Sequence, residues 1–322
     1  MTTTKLNIKD KQILKILDSD ARQSNSQIAK KTRLSKNIVN YQIKRLEQLG
    51  LIKKYLTLID YSRLGYFQIR TYLDFYELDP DKEEKLIQYL IKCKSTGSIA
   101  RTVGDWDLSF TIFVKNLGDF EKEWSPFINK FRSIIKEYST QVITKEIAFE
   151  RTDLTIEKKE KSFWEKGSNQ VIQIDSIDSK ILNLIVENAR IPIKHLSLEI
   201  GLGSMAIIYR LKQLVKKGII LGYRANLDFT KLGYEYYKIN LELENPKIIN
   251  ALTAYCKSCS NVVSVTHSIH DNVDFEFDIE VKDFNVLLDL ISQLKKQFPR
   301  SIRDYTYIKF VKYYKKMSLP CL

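Results

Sequence analysis

The chain repeats itself. Displaced by 168 residues, it aligns on itself without a gap from position 10 to position 66, and sixteen of those 57 positions are identical. Asp10, Ile13, Leu14, Ala21, Arg22, Leu34, Tyr41 and Lys44 recur as Asp178, Ile181, Leu182, Ala189, Arg190, Leu202, Tyr209 and Lys212. Leu46, Gly50, Ile52, Tyr55, Asp60, Leu64, Gly65 and Tyr66 recur as Leu214, Gly218, Ile220, Tyr223, Asp228, Leu232, Gly233 and Tyr234. Chance similarity of two helical stretches does not hold one ungapped register over that length. The period far exceeds a solenoid unit, so the chain is one two-part module copied twice rather than a repeat array.

Each copy opens with helical segments. In copy one the apolar spacing predicts a helix over Lys9–Asp18. Ser24, Asn25 and Ser26 offer N-caps for a short helix over Gln27–Lys31. After the turn Thr32–Ser35, a third helix is expected over Lys36–Leu49, with Val39, Ile43 and Leu46 inward and Gly50 as its stop. Leu51–Asp60 then alternates like a strand. Two short helices around a tight turn form the helix-turn-helix pattern. Its outer face would carry Ser35, Lys36, Asn37, Asn40, Tyr41, Lys44 and Arg45. Asn can read adenine edges, Lys can meet guanine or phosphate, and a helix N-terminus favours phosphate. A solvated amphipathic helix in an unrelated bundle would give the same local pattern.

The rest of the module reads strand, helix, strand, strand, helix, strand, which is the ferredoxin-like βαββαβ order. The expected elements are Phe67–Tyr76, Asp81–Cys93, Ser98–Val103, Leu108–Val114, Asp119–Glu137 and Gln141–Phe149. In copy two they are Tyr236–Leu243, Pro246–Ser258, Val262–Ile269, Phe275–Val281, Phe284–Phe298 and Ile302–Lys315. Such a sheet carries helices on one face and needs a partner for the other. The class is therefore α+β: two tandem modules, each a winged-helix-like helix-turn-helix domain plus a ferredoxin-like domain. The expected boundaries are 1–60 and 61–151 for copy one, 177–228 and 229–322 for copy two, and a charged linker over 152–176.

Composition narrows the partners. Lys and Arg number 52 against 39 Asp and Glu, a net charge of +13, which favours a polyanion such as double-stranded DNA. No apolar run reaches membrane-spanning length, so no membrane partner is expected. The first ten residues lack the apolar stretch of a signal peptide, and four cysteines are too few for a disulfide scaffold, so the expected compartment is the cytoplasm.

The residues resemble the leucine-responsive/asparagine-regulator (Lrp/AsnC) family of prokaryotic transcription regulators. The resemblance rests on Asp10-Lys-Gln-Ile-Leu, Asp20-Ala-Arg-Gln-Ser-Asn, Ile28-Ala-Lys-Lys-Thr, Leu34-Ser35, the stretch Ile43–Ile52, Leu58–Tyr66 and Gly104-Asp-Trp-Asp107, and it covers nearly the whole chain twice. It implies a DNA-binding regulator without enzymatic activity or cofactor. Its sensing domains would pair through their sheets, within one chain or into a homo-oligomer, and bind an amino-acid-like effector. Gly104, Asp105 and Asp107 would then form the effector turn, an Asp meeting the ammonium group; the plainer role for such an Asp is to cap the turn. Copy two departs from the pattern. Met205, Ala206 and Ile208 replace Asn37, Ile38 and Asn40, and His270–Asp274 replaces the glycine turn with one residue inserted. Copy one is therefore expected to be the main DNA reader.

Three competing readings remain. Cys256, Cys259, His267 and His270 could supply zinc ligands, but strand residues three apart point to opposite faces, so no metal is expected. Sirohaem decarboxylases resemble this architecture and would use His267 and His270; their arginine-rich hinge is absent from Lys53–Asp60. A subunit that pairs with other regulators without reading DNA would suit copy two alone.

Overall fold

The structure is a computed structural model, and it describes residues 5–76, 79–151, 162–270 and 273–316. Copy one begins with α1 (Ile8–Ser19), α2 (Asn25–Thr32) and α3 (Lys36–Gln48). Asn7 and Ser24 cap the first two through reciprocal capping boxes with Asp10 and Gln27. β1 (Ile52–Ile59) follows, and a short 3₁₀ turn, Tyr61–Leu64, leads into the sheet. The repeated Asp60 caps that turn, and Gly65 ends it at φ 79°, a left-handed geometry that excludes most side chains. Asp228 and Gly233 do the same in copy two, with φ 80°.

The ferredoxin-like half of copy one runs β2 (Phe67–Phe75), α4 (Pro80–Lys92), β3 (Thr96–Gly104), β4 (Leu108–Val114), α5 (Leu117–Phe131) and β5 (Ile135–Phe149). The helix expected to reach Glu137 stops at Phe131. Ile134 and Ile135 instead enter the core, and Ile135 pairs with Phe75. The apolar spacing there suits either element, and sheet pairing decides it. β6 (Phe163–Lys166) follows, inside the stretch read as a linker; residues 152–161 of that stretch lie outside the described residues. β6 pairs antiparallel with the end of β5, Ala148 opposite Trp164. Four residues are too few for their alternation to stand out from a charged linker.

Copy two repeats the order with α6 (Ser176–Ile185), α7 (Ile193–Ile200), α8 (Ser204–Lys216), β7 (Ile220–Leu227), β8 (Glu235–Leu243), α9 (Ile249–Ser258), β9 (Val262–Ile269), β10 (Phe275–Val281), α10 (Phe284–Gln297) and β11 (Ile302–Lys315). Among the described residues no helix is long and apolar enough to cross a membrane.

The two copies complete each other. The sheet order is β2-β4-β3-β11-β8-β10-β9-β5, and β5 pairs back onto β2, so eight strands close into a ring with β6 flanking β5. Each copy contributes four strands, and the seams are β3 against β11 and β5 against β9. Closure gives each strand of the ring a neighbour on both sides over part of its length; at the seams Ile302–Tyr307 of β11 and Ile135–Gln141 of β5 pair on one side only. α4 and α5 pack outside on Ile69, Leu73 and Phe110, while α9 and α10 pack on Tyr237, Ile239 and Phe277. Inside the ring, Arg70 of copy one meets Glu276 of copy two at 3.1 Å, and Lys238 lies 2.9 Å from Asp278.

The helical heads are exchanged as well. β1 pairs antiparallel with β7, with Tyr55 opposite Ala225 and Thr57 opposite Tyr223. Copy two's Ala225, Leu227 and Phe229 complete the core of α1–α3. Copy one's Ile59, Tyr61 and Leu64 complete the core of α6–α8. The contact is reciprocal: Arg190 donates to the Ala21 carbonyl at 3.0 Å, and Arg22 donates to the Ala189 carbonyl. Each arginine also lies over the other copy's tyrosine, Arg190 on Tyr55 and Arg22 on Tyr223. The identities retained between the copies are thus partly the residues by which the copies bind one another.

A charged knot fastens the first head to the ring. Asp18, at the end of α1, accepts from Arg224 at 2.7 Å and from Arg151 at 3.0 Å. Arg151 turns its other nitrogens onto Glu280 of copy two, at 2.7 and 2.9 Å. Burial alone would raise the Asp18 carboxyl, but Arg224 and Arg151 outweigh it and hold it below its ordinary value. Copy two has Val186 at the equivalent place, so the knot exists once.

Leu227→Ala, a change in copy two, should cost about 2–4 kcal/mol and open the other copy's head. Amide exchange should accelerate in α1–α3 more than in α6–α8; the reverse order would contradict the exchanged core. Asp18→Asn should cost about 3 kcal/mol, because it leaves the largely buried Arg224 guanidinium without its carboxylate and takes one of two from Arg151, which keeps Glu280. Since the folded-state pKa of Asp18 lies below its unfolded value of 3.8, its contribution is present above that pH and fades on further acidification. Acid melts of the wild type should therefore show a steeper loss below about pH 4 than those of Asp18→Asn, which keeps only the share of the other lowered carboxylates such as Asp278 and Glu146.

Candidate nucleic-acid interface

The second and third helices of copy one form the tight turn of a helix-turn-helix. Arg33 ends α2 in a left-handed conformation, φ 55°, and Ser35 caps α3 by accepting from the Ile38 N–H at 3.2 Å. Val39, Ile43 and Leu46 are buried, which fixes the rotation of α3. Ser35, Lys36, Asn37, Tyr41 and Lys44 are then exposed on its outer side, Tyr41 at 65%.

The other two candidates point elsewhere. Asn40 is half-buried, and its side-chain oxygen accepts from Asn25 at 2.5 Å. Asn25 in turn accepts from Arg190 of the other copy at 2.6 Å. Arg45 reaches back to the buried Asp10 at 2.5 Å and to Gln42 at 3.0 Å. Arg45 therefore neutralises a carboxylate at the base of the head instead of extending from the outer face. Copy two solves the same problem from one turn earlier: Arg210, equivalent to Gln42, binds Asp178 at 2.8 Å. Sequence spacing could not separate Arg45 from Lys44, because only the position of Asp10 in three dimensions shows which cation is taken.

Arg33 was not singled out by the sequence. Its equivalent in copy two is Gly201, also left-handed at φ 76°. A left-handed arginine carries strain of the order of 1 kcal/mol that a glycine there would avoid. It places an exposed cation at the turn beside Lys30 and Lys31.

The head of copy two has the same helices and a different surface. Neither Pro192 before α7 nor Gly203 before α8 supplies a side-chain cap. Met205, Ala206, Tyr209 and Lys212 are exposed on α8.

At the expected effector turn, Gly104 has φ 123° and lies against β11; a Cβ there would sit 2.8 Å from the Tyr307 carbonyl oxygen. Asp105 is exposed. Asp107 accepts from the Phe75 N–H at 3.0 Å, and Asp274 accepts from the Leu243 N–H at 2.7 Å. Copy two thus keeps this cap although its glycine is lost; Asp271 and Asn272 of its turn lie outside the described residues. Burial raises the Asp107 carboxyl above its ordinary value.

The four candidate zinc ligands are dispersed in role. Cys256 is buried in the core, Cys259 ends α9, His267 packs edge-on against Phe275, and His270 bonds Ser139 at 2.8 Å. Among the described residues no group of three or more His, Cys, Asp or Glu is placed to hold a metal ion. A cavity of ≈ 210 Å³ lies between the ring and the β1–β7 pair, lined among others by Arg70, Glu146, Lys166, Arg224, Lys238 and Asp278.

Comparison with known proteins agrees with this anatomy. A winged helix-turn-helix DNA-binding domain matches residues 6–53 and again 174–220. The HTH-type transcriptional regulator FL11 of Pyrococcus horikoshii is 30% identical over 125 residues, covering 39% of this chain and 79% of that protein. The HTH-type transcriptional regulator LrpB of Bacillus subtilis is 29% identical over 148 residues, covering 46% and 97%. Among solved structures, the siroheme decarboxylase NirDL superposes with a TM-score of 0.64 over 98% of this chain and 94% of that one, at 14% identity, which is a likeness of fold. The regulators match one copy at a time and the two-copy structure matches the whole. With both heads, both ferredoxin-like halves and these relatives in place, the chain belongs to the Lrp/AsnC family of helix-turn-helix transcription regulators, in a tandem duplicated form.

Proposed function

We propose that this chain is a sequence-specific regulator acting in the cytoplasm, which binds double-stranded DNA chiefly through copy one. The observation that carries the reading is the outer face of α3. It presents Lys36 and Asn37 in the first turn of a capped helix and Tyr41 and Lys44 further along its exposed side. Asn and Lys there supply base-edge and phosphate contacts, and the helix N-terminus adds a favourable field for phosphate. Ser35 sets the start of the helix, while Asn40 and Arg45 act as positioning residues through Asn25 and Asp10. Arg33, retained at a strained turn, is a further phosphate contact in this reading.

The reading extends to an amino-acid-like effector at Gly104–Asp107. Asp105 is the exposed carboxylate that would meet an ammonium group, whereas Asp107 is engaged in its cap. An effector there would lie at the β3–β11 seam that joins the copies. Association of whole chains into a homo-oligomer through their ferredoxin-like domains is part of the same proposal, measurable by light scattering.

The shared fold of NirDL favours a second reading, a tetrapyrrole enzyme. Its support is thinner. The described lining of the cavity between the ring and the β1–β7 pair contains no histidine. Mixing the protein with sirohaem and recording the visible spectrum separates the readings: a new bound-haem band would favour the enzyme.

Fluorescence anisotropy on DNA fragments at several salt concentrations tests the regulator. Asn37→Ala with Lys44→Ala should abolish selective binding, while Tyr209→Ala with Lys212→Ala should weaken it less. Equal losses would contradict the leading role of copy one. Arg33→Gly should separate stability from binding, raising stability by up to about 1 kcal/mol as strain is removed. It should also weaken binding to all sequences and lower the salt slope by about 1. A rise in stability with unchanged affinity would remove Arg33 from the interface.

A further inference from the structure

The outer face of the second head is apolar where the first is polar. Where copy one has Lys36, Asn37 and Ile38, copy two exposes Ser204, Met205 and Ala206. Met205 is 76% exposed, Tyr209 63%, and Leu198 on the preceding helix 73%. Met205 and Tyr209, four residues apart, form an exposed apolar strip along α8. Water-exposed apolar clusters of this kind mark contact surfaces. Lys194, Lys212, Lys216 and Lys217 are exposed on α7, on α8 or just after it, against the exposed Glu199 of α7, so the charge near the strip is net positive.

The place of α8 in the molecule is also defined. The β1–β7 register is symmetric, Tyr55 opposite Ala225 and Thr57 opposite Tyr223, and the head cores are exchanged in both directions. α8 therefore stands in its head as α3 stands in the first. The charge surrounding it suits a polyanion. Met205 and Ala206, which follow Ser204 in its first turn, have no side-chain hydrogen-bond donor to offer a base edge.

We propose that α8 reads DNA by apolar contact, with Met205 and Ala206 against the C5-methyl groups of thymines in the major groove. The methyl is the apolar feature of that groove, and it distinguishes thymine without any hydrogen bond. Lys212 and the neighbouring lysines hold the phosphates. The operator is then asymmetric, one half-site read by hydrogen bonds from Asn37 and Lys44, the other by thymine methyls. The inference rests on the DNA-binding reading above and adds what the second head recognises.

The test uses the full chain and a duplex obtained by in vitro selection against it. Thymines are replaced by deoxyuridine one half-site at a time, which removes the methyl and keeps every hydrogen-bonding group. Replacement in one half-site should weaken binding by about fourfold for each contacted methyl, by the transfer free energy of one buried carbon. Replacement in the other should change little. Met205→Ser with Ala206→Ser should remove the sensitivity while circular dichroism and the melting temperature stay near wild type. Three results would overturn the inference: equal sensitivity of both half-sites, sensitivity that persists in the variant, or insensitivity with a variant that alters the oligomeric state. The last would assign the strip to a protein contact. Failure of selection to enrich any sequence would instead contradict the DNA-binding reading itself.

Discussion

The exchange of β1 and β7 between the two heads is the contact on which the remaining structure depends. Each strand leaves its own head and closes the core of the other, so Leu227 belongs to the first head and Ile59 to the second. Neither core is complete without the other copy. The same crossing brings Arg22 and Arg190 to each other's backbone, and below it the two four-stranded sheets close edge to edge. Because the partners are tethered in one chain, closure is intramolecular and does not depend on protein concentration.

Duplication also released the copies from being identical. A dimer of separate chains must present the same residue on both sides. Here Asp18 is matched by Val186, and the knot with Arg151, Arg224 and Glu280 forms on one side only. β6 flanks β5, placing Trp164 against Gly222 and beneath the Arg224 guanidinium at 5.0 Å. Asn25 and Asn40, linked to Arg190, are replaced by Ile193 and Ile208. Arg22 and Arg190, with Tyr55 and Tyr223, join the pair from both sides and are identical between the copies, whereas the outward Asn37 and Met205 differ.

Much of the fold was legible because it rests on local patterns read twice. Caps such as Ser35, the glycine stops and strands such as Leu108–Val114 and Val262–Ile269 lie where periodicity placed them. The misplaced end of α5 lies where apolar spacing fits helix and strand equally, and long-range pairing chose. The outer face of α3 was legible in part. Helical phase puts Lys36, Asn37, Tyr41 and Lys44 outside, but the engagement of Arg45 by Asp10 spans 35 residues and that of Asn40 involves the other copy. Arg33 passed unnoticed because its significance is a backbone angle, visible in sequence only through the glycine at its equivalent, Gly201.

One chain carries two helix-turn-helix heads, joined to each other through the exchanged β1 and β7 strands. The most direct test is native mass spectrometry of the complex with a minimal selected duplex, combined with hydroxyl-radical footprinting. One chain bound per duplex, protecting two half-sites about one helical turn apart, is the result the account predicts. Two chains per duplex, each protecting a single half-site, would show that the paired heads do not act as one reading unit and would contradict it.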